Sequence, residues 1–460
     1  MSRQRPGPGP GARQAPVRLG AGSGFAGDRV DPAVDLAERG ELDYLVFECL
    51  GERTVAAGHA RRLRDASAGY DPMLEERLRA VLPACRANGT TVVTNAGAAN
   101  PEAAGELARL VAADLGLAGL RVAVVTGDDV LAQVRAADPL VWETGQPVSA
   151  GDPPVSASAY LGADAIVAAL DQGADLVITG RVADPSLYVG PLRHEFGWAA
   201  DDYDLLGRAT LTGHLLECAG QLTGGYFADP VTKPVPRLAW LGFPFADVTA
   251  DGDATFGKLA GSGGRLDVRT CGEQLLYEVD DPSAYLTPDV VADFSGVTFS
   301  QLGADQVRAA GATGRSRPRE LKVTLGYQGG WVGEGQISYA GPRCLPRARL
   351  AADVVTERLA ALHGIGPGQV DVELIGAGAA FRGLAAARDP REVRLRVAAR
   401  VATEERAQAV GREVEALYTN GPAGGGGARG AVAAQLAVRS CLLPRELVTA
   451  RVVMREAACG

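Results

Sequence analysis

Hydrophobic and polar positions along the chain follow two regimes. In the first half, an opening VRL at 17–19 is followed by runs that are apolar at almost every position: YLVFE at 44–48, TVVTN at 91–95, RVAVVTG at 121–127 and ADLVITG at 174–180. Such runs are strands with both sheet faces covered. Between them lie stretches of helical spacing, such as 71–89, where Leu74, Leu78, Val81 and Leu82 form one stripe. This order predicts an α/β domain with a doubly wound, mostly parallel sheet of Rossmann or flavodoxin type over residues 17–230. Beyond a joint near 226–236 the pattern changes. LKVTLGY (321–327) and GQISYAG (335–341) read as antiparallel strands, followed by a helix at 346–363, strands at 370–376 and 392–401, a helix at 404–418 and a last strand at 447–456. The two-residue alternation in VRLRVAARV implies a sheet with one wet face, so residues 231–460 are expected to form a C-terminal α+β domain. Residues 421–430, GPAGGGGARG, read as a flexible loop before an Ala-rich helix, and residues 1–16, rich in Pro, Gly and Arg, as a disordered tail.

Helix starts are marked by Asx-Pro pairs at Asp31-Pro32, Asp71-Pro72, Asn100-Pro101 and Asp184-Pro185. The Asx side chain can cap free N–H groups while proline takes the first helical position. In an open parallel sheet, ligands bind at the rim formed by the carboxyl ends of the strands. Loops 20–31, 48–58, 95–100, 127–130 and 180–185 are expected to converge there.

Composition narrows the classes of function. The chain has 460 residues, with 47% hydrophobic and 22% charged positions, which is ordinary for a folded protein. A net charge of −9 gives no drive toward phosphate backbones, so no nucleic-acid partner is expected. No apolar run is long enough to span a bilayer, which predicts no membrane insertion. Seven dispersed cysteines without a C-x-x-C pair or a secretory signal fit a reducing cytoplasm.

Three groups of residues carry candidate chemistry. Gly22, Gly24 and Gly27 spell G-x-G-x-x-G, and Glu48 ends the next strand, the outline of a dinucleotide fingerprint. The helix starts late for that role, at Asp31-Pro32, and Asp28 sits where an anion would lie. A tight glycine turn presenting polar side chains is the alternative, with Asp28, Arg29, Glu48, Glu52, Arg53, Asn95, Asn100 and Asp128 on the rim to meet a small polar ligand. The second group is VITGRVADPSL (177–187). Arg181 leaves a strand at its carboxyl end, and Ser186 lies in the first turn of a helix expected to be capped by Asp184, an arrangement suited to a carboxylate or phosphate. The third is His214, Glu217 and Cys218, at i, i+3 and i+4, where the histidine can serve as an acid or base beside the carboxylate. Their spacing matches no metal signature, even with His194 added, so no metal is expected.

The blocks GSGFAGDRVDPAVDLAERGELDYLVFE, TNAGAANP, YLGADAIVAALDQGADLVITGRVADPSL, GHLLECAGQLTGGYFADP, EQLLYEVDDPSAYLTPDV and LKVTLGY, in that order, resemble the acyclic terpene utilisation protein AtuA family over about residues 17–460. Many relatives carry a further small C-terminal domain, and the resemblance implies that what it adds is absent here or supplied by a separate chain. The resemblance implies a bacterial cytoplasmic protein of carboxylic-acid or acyl-CoA metabolism and transfers no catalytic residues. Three readings follow. The first is an enzyme of lyase or hydratase type, acting on a small carboxylic acid or a CoA thioester. Arg181 and Ser186 would hold the anion, Asn95 would orient it, and His214, Glu217 and Asp184 would move a proton. The second is an NAD(P)-dependent oxidoreductase using Gly22, Gly24, Gly27 and Glu48. The third is a non-catalytic subunit of an acyl-CoA-processing complex. A homo-oligomer is expected.

Overall fold

The computed structural model describes residues 13–380 and 390–457. Its strands, in chain order, are β1 (Val17–Gly24), β2 (Tyr44–Glu48), β3 (Thr91–Thr94), β4 (Arg121–Thr126), β5 (Ser156–Ala159), β6 (Leu176–Thr179), β7 (Pro244–Val248), β8 (Ala254–Lys258), β9 (Tyr285–Leu286), β10 (Val291–Asp293), β11 (Thr298–Gly303), β12 (Gln306–Ala310), β13 (Thr313–Arg315), β14 (Glu320–Ala340), β15 (Val370–Ile375), β16 (Glu392–Val401), β17 (Gly425–Pro444) and β18 (Arg451–Glu456). The main helices are α1 (Asp31–Arg39), α2 (Glu52–Arg64), α3 (Leu74–Asn88), α4 (Pro101–Asp114), α5 (Leu131–Ala137), α6 (Asp164–Asp171), α7 (Ser186–Phe196), α8 (Tyr203–Leu216), α9 (Val268–Leu276), α10 (Cys344–His363) and α11 (Glu404–Glu415).

The chain divides into two compact units, one of residues 1–326 with 438–460 and one of 327–437. In the first, a ten-stranded sheet runs β11-β12-β8-β7-β1-β2-β3-β6-β4-β18. The central five strands pair in parallel, as their continuous apolar runs predict, and β2, β3 and β6 are buried along their whole length. Helices α1, α3 and α4 pack in series on one face, and α6, α7 and α8 on the other. The expected doubly wound α/β class is therefore the one observed. Strands β3 and β6 are neighbours, yet the helix after β3 belongs to one layer and the helix after β6 to the other. Diverging connections of this kind open a crevice at the carboxyl ends of the two strands. A small sheet, β13-β10-β9, lies against α8. Gly207 and Gly314 permit that approach, because an added Cβ would sit 2.2 Å from the Thr313 carbonyl oxygen and 2.0 Å from that of Tyr203, respectively.

The second unit carries β15-β16-β14-β17, with α10 and α11 packed against β16 and their apolar side chains joining those of β14 and β16 in one core.

Several expectations need correction. The composition change near 230 marks the switch from parallel to antiparallel pairing within one sheet, since β7, β8, β12 and β11 continue from β1; the compact units separate at 326/327 and 437/438 instead. The segments 321–327 and 335–341 are one continuous strand, β14. Its glycines serve close packing, and a Cβ on Gly333 would overlap the carbonyl of Ala407. The Ala-rich stretch after 425 is strand β17, because small side chains there are set by pairing with β14 and not by helix propensity. The last strand joins the large sheet antiparallel to β4. Of the expected disordered tail, residues 1–12 lie outside the described residues, while Arg13 is fixed by Asp43 at 2.9 Å and Glu195 at 3.3 Å. No helix of the described residues is long and apolar enough to cross a membrane.

Candidate active site

The crevice between β3 and β6 is built from loops that follow parallel strands. Glu48, the last residue of β2, is only 6% exposed. Its Oε1 accepts the Leu50 amide at 2.5 Å and Asn95 Nδ2 at 3.0 Å, while Asn95 Oδ1 accepts the Cys49 amide at 2.7 Å. Asn95, just past β3, thus locks the 48–50 loop. Burial raises the Glu48 pKa well above the carboxylate range, Asp184 adds to the rise, and Arg181 partly opposes it.

Arg181 follows β6 and is 2% exposed. Its amide donates to Asp128 Oδ2 at 2.8 Å, and its Nη1 donates to the Leu50 carbonyl at 2.7 Å. Asp184 Oδ1 lies 3.0 Å from Nη1, and the guanidinium stacks 4.1 Å above the Tyr160 ring. Burial works against the cation, but Asp184, Tyr160, Glu48 and Glu52 outweigh it and keep Arg181 charged. Tyr160 in turn donates to Glu52 Oε1 at 2.7 Å, and Lys322 donates to the same oxygen at 2.9 Å. Burial of Glu52 is overridden by Lys322 and Tyr160, which bring it down to about 2.

The opposite wall comes from the end of α8. His214 Nδ1 lies 2.9 Å from Glu217 Oε1, and Nε2 lies 3.2 Å from the Leu275 carbonyl. Its ring packs 5.2 Å from Tyr285 and 5.7 Å from Phe294, which the small sheet and the turn after it supply. Burial pushes Glu217 up to about 7, with Asp184 and Glu278 adding to the rise, against the pull of His214. Burial also disfavours the His214 cation, yet Glu217 and the Leu275 and Gln274 main chain raise its pKa. Tyr188, two residues after Ser186 on α7, is fully buried and is acted on electrostatically by Glu217, Glu48, Cys218 and Asp184.

Three buried polar atoms of this cluster have no hydrogen-bond partner: Arg181 Nε, Tyr188 Oη and Glu217 Oε2. A buried polar atom without a partner costs about 1–3 kcal/mol. The Asp184 side chain is 30% exposed. The 48–50 loop also lines a cavity of about 290 Å³, with Gly27, Cys49, Leu50, Thr54, Met73 and Ala98 among its residues. Among the described residues, no group of three or more His, Cys, Asp or Glu is placed to hold a metal ion.

A family profile described as "Acyclic terpene utilisation family protein AtuA" matches residues 17–454. The chain belongs to the AtuA family. No curated protein and no solved structure matches it significantly. In this AtuA-family chain the residues singled out from sequence divide into two sets. Glu48, Glu52, Asn95, Arg181, Asp184, His214 and Glu217 come together in the crevice. The others are engaged locally. Asp28 accepts the amides of Gly24 at 2.9 Å and Arg29 at 2.8 Å, and Arg29 reaches the Ala239 carbonyl. Asn100 caps α4 through the Ala103 amide. Arg53 is exposed on the first turn of α2. Ser186 donates to buried Asp289 at 2.5 Å. His194 pairs with Asp171 at 2.6 Å, away from His214. Asp184 does not cap α7, because its carboxylate turns back to Arg181.

The glycine turn is filled by protein. The Gly24 amide is taken by Asp28, and a Cβ there would meet the Cys218 main chain at 2.5 Å; at Gly22 it would meet the Phe47 ring at 2.7 Å. The AtuA crevice also uses side chains that sequence reasoning passed over. Tyr160 and Tyr188 flank recognised motifs, whereas Lys322 lies 270 positions beyond Glu52 and gave no local signal.

Proposed function

We propose that the crevice is the active site of an enzyme of lyase or hydratase type acting on a small carboxylic acid or its CoA thioester. The observation that carries this reading is a buried, charged arginine beside a buried carboxylate, Glu217, that is hydrogen-bonded to His214 and pushed up by burial. Arg181 presents Nε to the acyl oxygen or carboxylate of a ligand, and a guanidinium is well suited to that contact. Glu217, with a pKa near 7 and oriented by His214, moves a proton to or from the adjacent carbon or oxygen. Glu48 and Asn95 hold the loop that fixes Arg181 through the Leu50 carbonyl. The neighbouring cavity of about 290 Å³ gives room for hydrocarbon beside this polar head site.

The nicotinamide reading has weaker support, since the turn that would receive a pyrophosphate is occupied by Asp28 and the Cys218 main chain. Native mass spectrometry of purified protein, wild type beside Arg181→Met, tests the proposal. An acid or acyl-CoA retained by the first and lost from the second supports it; a retained nicotinamide nucleotide, or an acid held equally by both, overturns it.

A further inference from the structure

The unpartnered atoms of the crevice differ in what they ask of a ligand. Arg181 Nε is a donor and needs an acceptor, which a carboxylate or thioester oxygen provides. Tyr188 Oη and Glu217 Oε2 need something else. The phenol belongs to a side chain with no exposed surface, on α7, and Glu217 lies at the end of α8, the helix packed against it. Neither atom hydrogen-bonds to the other or to any further protein group, although Glu217 is the strongest charged influence on Tyr188. The other oxygen of Glu217 is already committed to His214 at 2.9 Å. A group that accepts from the phenol and donates to the carboxylate satisfies both at once. With Glu217 ionised, carboxylates and thioester carbonyls, which only accept, cannot do this. A hydroxyl can.

We propose that Tyr188 and Glu217 form a hydroxyl-binding subsite, so that the ligand class is a hydroxylated carboxylic acid or hydroxyacyl thioester, its acyl oxygen on Arg181 and its hydroxyl between the phenol and the carboxylate. This rests on the reading of the crevice as a carboxylate or thioester site. It goes beyond that reading by requiring a second functional group on the ligand. Sites built to bond a substrate hydroxyl reject the analogue that lacks it, because their own buried polar groups are then left unpaired. A trapped water, which also donates and accepts, is the competing occupant.

Calorimetric titration of the full chain with matched probes separates these cases: malate against succinate, citrate against tricarballylate, and 3-hydroxybutyryl-CoA against butyryl-CoA. At least one hydroxylated probe is expected to bind wild type about ten-fold or more tightly than its partner. Tyr188→Phe is expected to erase that preference while leaving the affinity of the unhydroxylated partner unchanged and the melting temperature no lower, since the phenol oxygen has no protein partner to lose. Equal binding within every pair, with both members lost in Arg181→Met, overturns the subsite and leaves the carboxylate site standing. Binding of no probe overturns both. A Tyr188→Phe variant that keeps the hydroxyl preference but melts several degrees lower assigns the phenol to a structural water and also overturns the subsite.

Discussion

His214 Nδ1 and Glu217 Oε1 are 2.9 Å apart at the end of α8, and the ring nitrogen facing away from the carboxylate reaches the Leu275 carbonyl. Burial alone would lower the imidazole pKa; the carboxylate reverses the sign. His59 shows the contrast. Its Nε2 lies 2.9 Å from the Ser158 hydroxyl, without a bonded carboxylate, and burial lowers its pKa. In a pH titration of the histidine ring protons by NMR, His214 is expected to titrate above the ordinary value of about 6.5 and His59 below it. In Glu217→Gln, His214 should cross to the low side, because desolvation then acts without its main opponent. An unmoved His214 resonance would remove the couple from the mechanism.

The glycines of the G-x-G-x-x-G segment are predicted to differ sharply in tolerance. An alanine Cβ at Gly24 would lie 2.5 Å from the Cys218 carbonyl carbon and 2.7 Å from its oxygen, both main-chain atoms that cannot turn aside. Gly24→Ala should destabilise the fold by about 1–3 kcal/mol or more. At Gly27 the nearest atom is the outer edge of the exposed Phe25 ring at 2.8 Å, which can swing away. Gly27→Ala should stay within about 0.5 kcal/mol of wild type. Denaturant titrations of the two variants check this. A severe Gly27→Ala phenotype confined to cofactor binding would instead favour the dinucleotide reading.

How far the sequence could be read follows from how local each determinant is. Strands β2, β3, β4 and β6 were legible because both of their faces are covered, so their composition reports burial directly. The meeting of Asn95 and Arg181 was legible as well, since both follow strands whose carboxyl ends share one rim. Long-range pairing left no such trace. Nothing around 451–456 reveals that β18 pairs with β4, and nothing in GYQGGWVGEG separates a turn from glycines packed under α11. At the site, the role of Asp184 was misread as a cap because the Asx-Pro signal is local, whereas the charge that captures its carboxylate, Arg181, is fixed from Leu50 and Asp128.

Arg181 and Asp184 should be strongly coupled energetically. Removing the guanidinium leaves Asp184 and Glu48 without their main cation and leaves the Leu50 carbonyl without its donor. Arg181→Met should therefore cost about 3–5 kcal/mol. Asp184→Asn should cost less, because Asp184 is partly exposed and Arg181 keeps the Leu50 carbonyl and the Tyr160 ring. The double variant should fall short of the sum by at least about 1 kcal/mol in a cycle measured by chemical denaturation. Additivity would mean the ion pair contributes nothing.

Asp128 supplies a stability prediction whose sign is set by pH. Its carboxylate accepts the Arg181 amide at 2.8 Å, yet burial pushes its pKa from the ordinary 3.8 to about 6. Between those values the folded chain holds a proton that the unfolded chain has released, so stability attributable to this group falls as pH rises through the window. Above pH 6 the cost is fully present, on the order of 3 kcal/mol. Asp128→Asn keeps an oxygen for the Arg181 amide and carries no charge at any pH. Its stability relative to wild type should therefore be higher at pH 7.5 than at pH 4.5, as read from denaturation midpoints at the two values. A difference that stays flat, or runs the other way, would show that the carboxylate is ionised at little cost, with the main-chain hydrogen bonds from Arg181 and Asp128, helped by Arg62, outweighing burial.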